Sequence, residues 1–467
     1  MSSTALFTAA ELAEATGGTW LHGSPEGCFA LNTDSRTVTP GECFVPLAGE
    51  RFDGHDFLSG VAARGAACAL CATGRPCPDD LPVLMVQDTL KAYQSSGRFH
   101  RQRMTGLKVL AITGSVGKTS VKEMLRAIFS HHAGDDAVLY TLGNTNNQIG
   151  VPQNLLRLTA HHRFAVIEMG TNHHGEIAPL TAAAAPNAAL INSIAPCHLE
   201  FLGSLDGVAR EKSTIFTGVE PGGAAICPAE CAGHEILVRA ARQAGLQISQ
   251  FGGAGTDGCR VTGRILNDTL TGSTVELFFA ESGRRLVFDW QLAGEFQAVN
   301  AAAAAAAALT FGLTPEEIVA GLRRTELPGK RMKVEQHDGV TWINDAYNAN
   351  PASMSASLRH LRNAGGRERR YLLVLGDMRE LGDETSARHR EILALVRELF
   401  QDCDYQLFLL GDAFGAAREA GVCPDRWRHF ASLAELREAV QRELPGEITV
   451  FLKSSNGLQL HTLEPFL

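Results

Sequence analysis

Two rhythms of apolar residues alternate along the chain. Continuous runs, KVLAIT (108–113), FAVIEMG (164–170), NAALINSI (187–194) and AAICP (224–228), are separated by longer helix-like stretches. Such runs mark strands covered on both faces, and their alternation with helices predicts a doubly wound, mostly parallel sheet. Residues 257–295 interrupt that rhythm. TGSTVELFFA and RRLVFDW alternate apolar with polar positions, which predicts antiparallel strands. GEFQAVNAAAAAAAALTFG (294–312) predicts a helix by propensity, ending at Gly312.

Ahead of this region, CFVPL, AACALC and PVLMVQ read as short strands, with a helix between two of them at FLSGVAARG (57–65). Beyond the turn Leu327-Pro-Gly329, the runs VTWINDA, RYLLVLGDM, YQLFLLGDA and EITVFLK predict a third α/β unit. Its strand ends carry Asp345, Asp377 and Asp412, where open α/β sheets bind ligands. The expected fold is α/β in three domains: a small α/β domain (1–105), a central mostly parallel sheet domain (106–328) and a Rossmann-like domain (329–467).

Length agrees, since 467 residues fit about three domains of roughly 150. The net charge of -9, without a basic tail, argues against a nucleic-acid partner. No basic-then-apolar leader opens the chain, and the Ala-rich run 300–309 is too short to span a bilayer. A cytoplasmic protein without membrane insertion is expected, a monomer by default. The 11 cysteines are scattered and odd in number, unlike a disulfide framework. Cys68 and Cys71 form a CxxC beside Cys77, but no second CxxC completes a zinc site.

Chemistry concentrates after the strand runs. In TGSVGKTS (113–120), Gly114 and Gly117 let successive amides turn toward phosphate oxygens. Lys118 adds a cation, and the Thr119 hydroxyl suits Mg²⁺. The common pattern has a further glycine where this chain has Ile112, so the loop is a variant. Glu168 ends an apolar run, a position that suits a metal ligand beside phosphates. His198 follows another strand and taken alone reads as a packed or surface histidine; Lys212, between Arg210 and Ser213, reads as part of a charged helix face. TLGNTNNQIGVP (141–152) is either a solvated loop or a substrate-contact loop. NDAYNANPASM (344–354) and LGDMRELG (375–382) pose the same choice, and at least one of them is expected to line a site.

Together TGSVGKTSVKEM, TLGNTNNQIGVP, EMG (168–170), HLEFLGS, NDAYNANPASM and VLGDMRELG resemble the Mur ligase family, and TDSRTVTPGECFVPLAGERFDGHDF (33–57) is similar to its UDP-binding segment. The resemblance covers nearly the whole chain. It implies an ATP-dependent ligase of peptidoglycan precursor synthesis that joins D-alanyl-D-alanine to UDP-N-acetylmuramoyl-tripeptide through an acyl phosphate. It implies ATP contacts from Thr113, Gly114, Ser115, Val116, Gly117, Lys118, Thr119 and Ser120, with Asn300 on the adenine side, Arg331 toward phosphate and Asp345 toward ribose. Thr119 and Glu168 would hold one Mg²⁺ and His198 a second; Lys212 would be a metal ligand as a carbamate formed with CO₂. Lys118, Glu168, His198 and Lys212 are thus the implied catalytic set. Ser35 and Arg36 would meet uridine, with Asn144, Asn146, Asn147, Asn348 and Asn350 near the substrates.

Two departures stand out. Phe296-Gln297 replaces the family's His-Asn before the adenine helix, and Lys453-Ser-Ser-Asn456 replaces its Lys-Gly-Ser-Arg. Three rivals remain: the diamino-acid-adding sister enzyme, whose Asp-Asn-Pro-Arg motif this chain lacks; folylpolyglutamate synthetase, which lacks a UDP-type first domain; and a non-enzymatic ATP-binding switch, which has no need of Glu168, His198 and Lys212.

Overall fold

The computed structural model describes residues 6–49, 52–417, 426–444 and 446–463. Three main sheets are built in chain order, one to each domain of an α/β architecture. The first orders its strands Thr19–Leu21, Val83–Val86, Cys68–Ala72, Cys43–Phe44 and Leu31–Asn32. The expected short strands are there, as is a helix at Leu58–Ala63. A 14-residue helix, Thr89–Gln102, carries a diluted apolar signature, because Ser96, Gly97, His100 and Arg101 share its buried face with Ala92 and Tyr93. Asp88 caps it by accepting the Lys91 amide. Small and polar residues allow close docking on the central domain: a Cβ on Gly97 would lie 3.1 Å from Pro152 Cα. Arg101 donates to the Ala184 and Ala185 carbonyls, and His100 bonds the Leu158 carbonyl.

The central sheet has nine strands. Lys108–Thr113 lies between Ala188–Ile191 and Phe164–Glu168, parallel to both. The polar residues that follow these three strands therefore meet at one edge. Val261–Asp268, Ser273–Phe279 and Arg284–Trp290 are antiparallel to one another, as their alternation predicted. They extend the same sheet rather than interrupt it, because Val261–Asp268 pairs in parallel with Gln247–Gly253. The alanine-rich segment is the helix Glu295–Thr310, buried over almost its whole length. It lies so close to the sheet that a Cβ on Gly263 would strike the Ala298 carbonyl oxygen. Alanine is the side chain that such an approach accommodates, and interiors this dense do not absorb an added methylene freely.

The third sheet orders Lys333–His337, Val340–Asn344, Ile448–Lys453, Arg370–Gly376, Asp404–Leu410 and Trp427–Phe430, all parallel except the first. Asn350 caps the helix Pro351–Gly365 through a reciprocal box with Ser353.

Several contacts among the described residues join this sheet's domain to the central one, four of them besides the Arg331–Thr119 bond at the cleft. Leu270, in the turn between two central strands, is buried in the third domain's core. Nearby, His360 bonds Asp268 at 2.8 Å. On the opposite side, the Tyr347 hydroxyl donates to Asn144 Oδ1 at 2.5 Å, and His198 Nδ1 meets Glu380 Oε2. His198 and Glu380 both hold positive φ, 50° and 64°, conformations unfavourable for residues with a Cβ.

Two outcomes follow. Gly263→Ala, which drives a methyl into backbone, lowers unfolding free energy by about 1–3 kcal/mol in urea titration. Tyr347→Ala, paired with His198→Ala, enlarges the radius of gyration measured by small-angle scattering, because two of the hydrogen bonds on the cleft side of the junction are lost; an unchanged radius shows that the Leu270 side and Arg331 suffice to hold the domains.

Candidate active site

The phosphate-type loop starts where Lys108–Thr113 ends and stops at Gly117, which caps the 16-residue helix Lys118–Ala133 at φ 82°. This left-handed backbone is the conformation glycine adopts freely. The loop is held from the neighbouring strand. Ser193 accepts the Ser115 and Val116 amides through its carbonyl and hydroxyl, at 3.0 and 2.9 Å. Asn192 donates to the Val116 carbonyl, and Ser115 Oγ donates to the Ala195 carbonyl at 2.9 Å. With those two amides engaged, the anion-seeking donors are the first amides of the helix, which have no intrahelical acceptor. Lys118 Nζ folds back to the Gly114 carbonyl at 2.7 Å and retains further protons to donate.

Asparagines wall the loop on two sides. A Cβ on Gly114 would collide with Asn192 Oδ1, and one on Gly117 would lie 2.7 Å from Asn192 and 2.8 Å from Asn300. Asn300 reaches this point because its helix packs so closely on the sheet. Its amide donates to Gln297 at 3.1 Å, so the residue that departs from the family's pattern orients it.

Glu168 stands beside the loop, since its strand pairs residue for residue with the loop strand and sets Glu168 opposite Ile112. The carboxylate is 2 % exposed. Asn146 donates to Oε1 at 2.9 Å, whereas Oε2 is buried without a hydrogen-bond partner among the described residues. Thr113 Oγ1 is orphaned in the same way. Leaving such groups unpaired costs roughly 1–3 kcal/mol each, more for a charge, so each calls for a partner from outside the chain, a ligand, an ion or water. Thr119 Oγ1 accepts Arg331 Nη2 at 3.2 Å. Among the described residues no three His, Cys, Asp or Glu side chains converge as a metal cage. The donor set of hydroxyl and carboxylate beside a phosphate loop nevertheless fits Mg²⁺, which keeps several waters and shares phosphate oxygens.

Lys212 overturns the charged-face reading of its helix, Leu205–Ser213. Arg210 is exposed, but Glu211 and Lys212 are buried. Glu211 accepts the Gly175, Glu176 and Ile177 amides at 2.7–3.0 Å. Burial, then the nearby Lys118 ammonium, lowers the Lys212 pKa to about 8. His198 is tied to the same region through Cys197, whose thiol lies 3.3 Å from Ser115 Oγ. Its bond holds the Glu380 carboxyl below the ordinary range.

Arg331 comes from the segment after the third domain's linker, between Lys330 and Met332, both at positive φ. Asp345 fixes this strained presentation. Its Oδ1 accepts the Met332 amide at 3.2 Å, while Oδ2 takes Ser357 and the buried Lys453 ammonium. The Tyr347 amide donates to the Lys330 carbonyl, and its ring lies under the Arg331 guanidinium, 3.7 Å from centroid to carbon. Asn144, Tyr347, Arg331 and Thr119 thus form a continuous chain between the two domains.

The remaining sequence candidates lie apart or are committed locally. Ser35 and Arg36 sit in an exposed turn of the first domain, where Arg36 grips Asp34 and lowers its pKa to about 2. Asn147 Oδ1 accepts the Ile149 and Gly150 amides, Asn348 Oδ1 the Ala349 amide, and Asn350 serves as a helix cap. Asn192, Ser193, Tyr347 and Glu380 were not among the candidates. The signal for the first two was present, a polar pair ending an apolar run; Tyr347 and Glu380 act across a domain junction that spacing does not reveal.

Comparison with known proteins agrees along the chain. Family models match residues 30–87 as Mur ligase family, catalytic domain, 112–308 as Mur ligase middle domain, and 330–456 as Mur ligase, glutamate ligase domain. The UDP-N-acetylmuramoyl-tripeptide–D-alanyl-D-alanine ligase of Escherichia coli K12 is 39% identical over 80% of this chain and 79% of its own length. The Bacillus subtilis ligase of the same name is 33% identical over 92% and 91%. A crystal structure of MurF from Acinetobacter baumannii superposes with a TM-score of 0.89 at 34% identity, covering 98% of this chain and 97% of that one. The loop between Asn192 and Asn300, the buried Glu168 and Lys212, and the junction at Arg331 are therefore features of a chain that belongs to the Mur ligase family.

Proposed function

We propose that this chain is the ligase that joins D-alanyl-D-alanine to UDP-N-acetylmuramoyl-tripeptide at the expense of ATP. The observation that carries the reading is the convergence, at one sheet edge, of a phosphate loop, a buried carboxylate with an orphaned oxygen and a buried lysine. Identity to ligases of that name over most of the chain supports the choice of substrates.

The chemistry explains the site. A carboxylate resists attack by an amine because it is anionic and has no good leaving group. Its oxygen first attacks the γ-phosphorus of ATP, the bond to the β-phosphate oxygen breaks, and ADP leaves. The dipeptide amine, as the free base, then forms the C–N bond at the acyl carbon. The C–O bond to phosphate breaks, and the amine loses a proton. Both steps crowd anions, so catalysis here is positioning and charge neutralisation. The first amides of Lys118–Ala133 and the Lys118 ammonium hold phosphate; Arg331 approaches from the other domain. Mg²⁺, when bound, neutralises phosphate charge, and Thr119 and Glu168 are the residues that would hold it, with His198 toward a second ion. Asn144 and Asn146 orient the acceptor side, whereas Asn147, Asn348, Asn350 and Asp345 position the loops. Residues 1–105, with Ser35 and Arg36, would bind the UDP end, residues 106–328 ATP, and residues 329–467 the incoming dipeptide. Reaction inside the cell, where ATP and the UDP-linked precursor are found, fits the described residues, of which no helix is long and apolar enough to cross a membrane.

Lys212 deepens the scheme. A lysine must be neutral to add CO₂, and at a pKa of about 8 roughly a tenth is neutral at pH 7, against about 0.04% for an ordinary lysine. The carbamate would turn the buried cation into a carboxylate-like ligand beside Lys118.

Phosphate release by the purified protein with ATP requires both the UDP-linked tripeptide and D-alanyl-D-alanine. Release that ignores either acceptor defeats the assignment. At constant dissolved CO₂, the rate of CO₂-dependent activation rises about fivefold from pH 7 to 8, as burial-lowered Lys212 deprotonates, and levels off above pH 9. Lys212→Ala loses most activity and regains part of it with short carboxylic acids. Full activity in that variant rules the carbamate out.

A further inference from the structure

A buried lysine on the phosphate helix has no part in the chemistry above. Lys122 lies one turn beyond Lys118 on Lys118–Ala133 and is 1 % exposed. Its ammonium donates to the Thr141 carbonyl at 2.8 Å, lies 2.8 Å from Glu123 Oε1 and faces the Tyr140 ring. Glu123 Oε2 in turn accepts Arg126 Nε at 2.8 Å. A buried ion pair seldom adds much net stability over well-packed apolar side chains, so what this one holds in place is the informative part.

It holds the point where a β-ladder changes partner. Val138–Tyr140 runs parallel to Phe164–Glu168, and their pairing ends at Tyr140 opposite Val166. The Thr141 amide still donates to the Val166 carbonyl at 3.1 Å. One further regular step of a parallel ladder would give the Thr141 carbonyl to the Glu168 amide. Instead the Glu168 amide donates to Thr141 Oγ1 at 2.9 Å, and the carbonyl goes to Lys122. Thr141 is fully buried, so its carbonyl needs that donor. The hydroxyl keeps the Glu168 backbone tied while the chain leaves the sheet for the asparagine-rich loop. From that loop Asn146 reaches back to Glu168 Oε1, and its carbonyl accepts the Gly170 amide at 2.8 Å. Glu168 is thus held at amide and carboxylate by one segment, and Lys122 ties the start of that segment to the phosphate helix.

We infer that Lys122 is a positioning residue that, through the Thr141 carbonyl, sets Glu168 and the Asn146 loop at a fixed place relative to the phosphate-binding end of its helix. This rests on the reading of Glu168 as the acidic metal ligand. Lys122 acts from behind, through Thr141, and not on the reacting atoms. Partners that orient a metal ligand in this way change metal affinity or rate by roughly 10–100-fold when they are lost.

The test uses the full chain and two near-isosteric changes. Lys122→Met removes the ammonium, and Thr141→Val removes the hydroxyl. Each weakens ADP-dependent Mn²⁺ binding, read by electron paramagnetic resonance, about tenfold or more. Each also lowers kcat for phosphate release, while KM for D-alanyl-D-alanine changes less than about threefold. The double variant is little worse than either single one, because both changes break the same connection. Lys122→Gln, which keeps a donor for the carbonyl, retains part of the Mn²⁺ affinity, and Thr141→Ser, which keeps the hydroxyl, retains all of it. Unchanged Mn²⁺ affinity in Lys122→Met overturns the inference, as do losses that multiply in the double variant, or unaltered protein that binds no Mn²⁺ with ADP. If Lys122→Met does not fold, Thr141→Val against Thr141→Ser carries the test, and equal Mn²⁺ affinity in those two overturns it. Unaltered protein that binds Mn²⁺ with ADP but shows no dipeptide-dependent phosphate release defeats the ligase reading instead, and the metal measurements still decide the role of Lys122.

Discussion

Everything in the cleft is referred to one tightly held turn, Gly114–Gly117. A loop that offers amides to phosphate must keep them pointed outward while its own backbone groups are satisfied, and few side chains can do this without filling the cradle. Here Asn192 and Ser193, at the end of the adjacent strand, bind the early amides and the Val116 carbonyl. The later amides stay free because they begin a helix. Parallel pairing of the two strands puts those side chains at the right height, and the same pairing sets Glu168 beside the loop on the other flank. The sheet register therefore fixes the separation between phosphate donors and the acidic ligand, independently of loop flexibility.

Charge placement follows from that geometry. Lys118 lies at the surface of the loop, and Lys212 is buried close behind it. Burial makes the Lys212 charge costly and the like charge of Lys118 adds to that cost, so Lys212 is pushed toward neutrality. Glu168 faces the complementary problem: one oxygen is satisfied by Asn146 and the other by none of the described residues. An isolated site with these three groups is electrostatically unsettled. Under the proposed reaction, phosphates and a divalent cation would settle it, and such a cleft favours a transition state that carries more concentrated charge than the ground state.

Patterning made much of this legible. The parallel strands, the antiparallel extension and the alanine helix were all readable because continuous runs, alternation and propensity are local signals. Thr89–Gln102 was not, since small and polar residues share its buried face with Tyr93 and dilute the apolar period. The phosphate loop could be read from glycine, lysine and threonine in series, and Glu168 from its place at the end of an apolar run. Lys212 could not: neighbouring charges look like a solvated face, and only the fold shows that Glu211 is spent on capping a helix. Asn350 and Asp345 were expected near ligands; in the structure they cap a helix and brace a loop, roles that call for the same residue types.

The domain junction shows why such bracing matters for chemistry. Arg331 reaches Thr119 from a backbone that is strained on either side, at Lys330 and Met332. A single residue in a left-handed conformation costs on the order of 1 kcal/mol or more, so this presentation persists only where other contacts over-determine it. Asp345, Ser357, Lys453 and Tyr347 supply those contacts from the third domain alone. The guanidinium's aim is thus set within the third domain and does not depend on the contacts across the junction. By contrast the contacts made across the junction near the cleft are few, the Tyr347–Asn144 and His198–Glu380 bonds together with Arg331 itself. Each is worth roughly 1–3 kcal/mol at most. An aim fixed within one domain keeps the geometry across the junction accurate, and accuracy is what transfer between two anions requires.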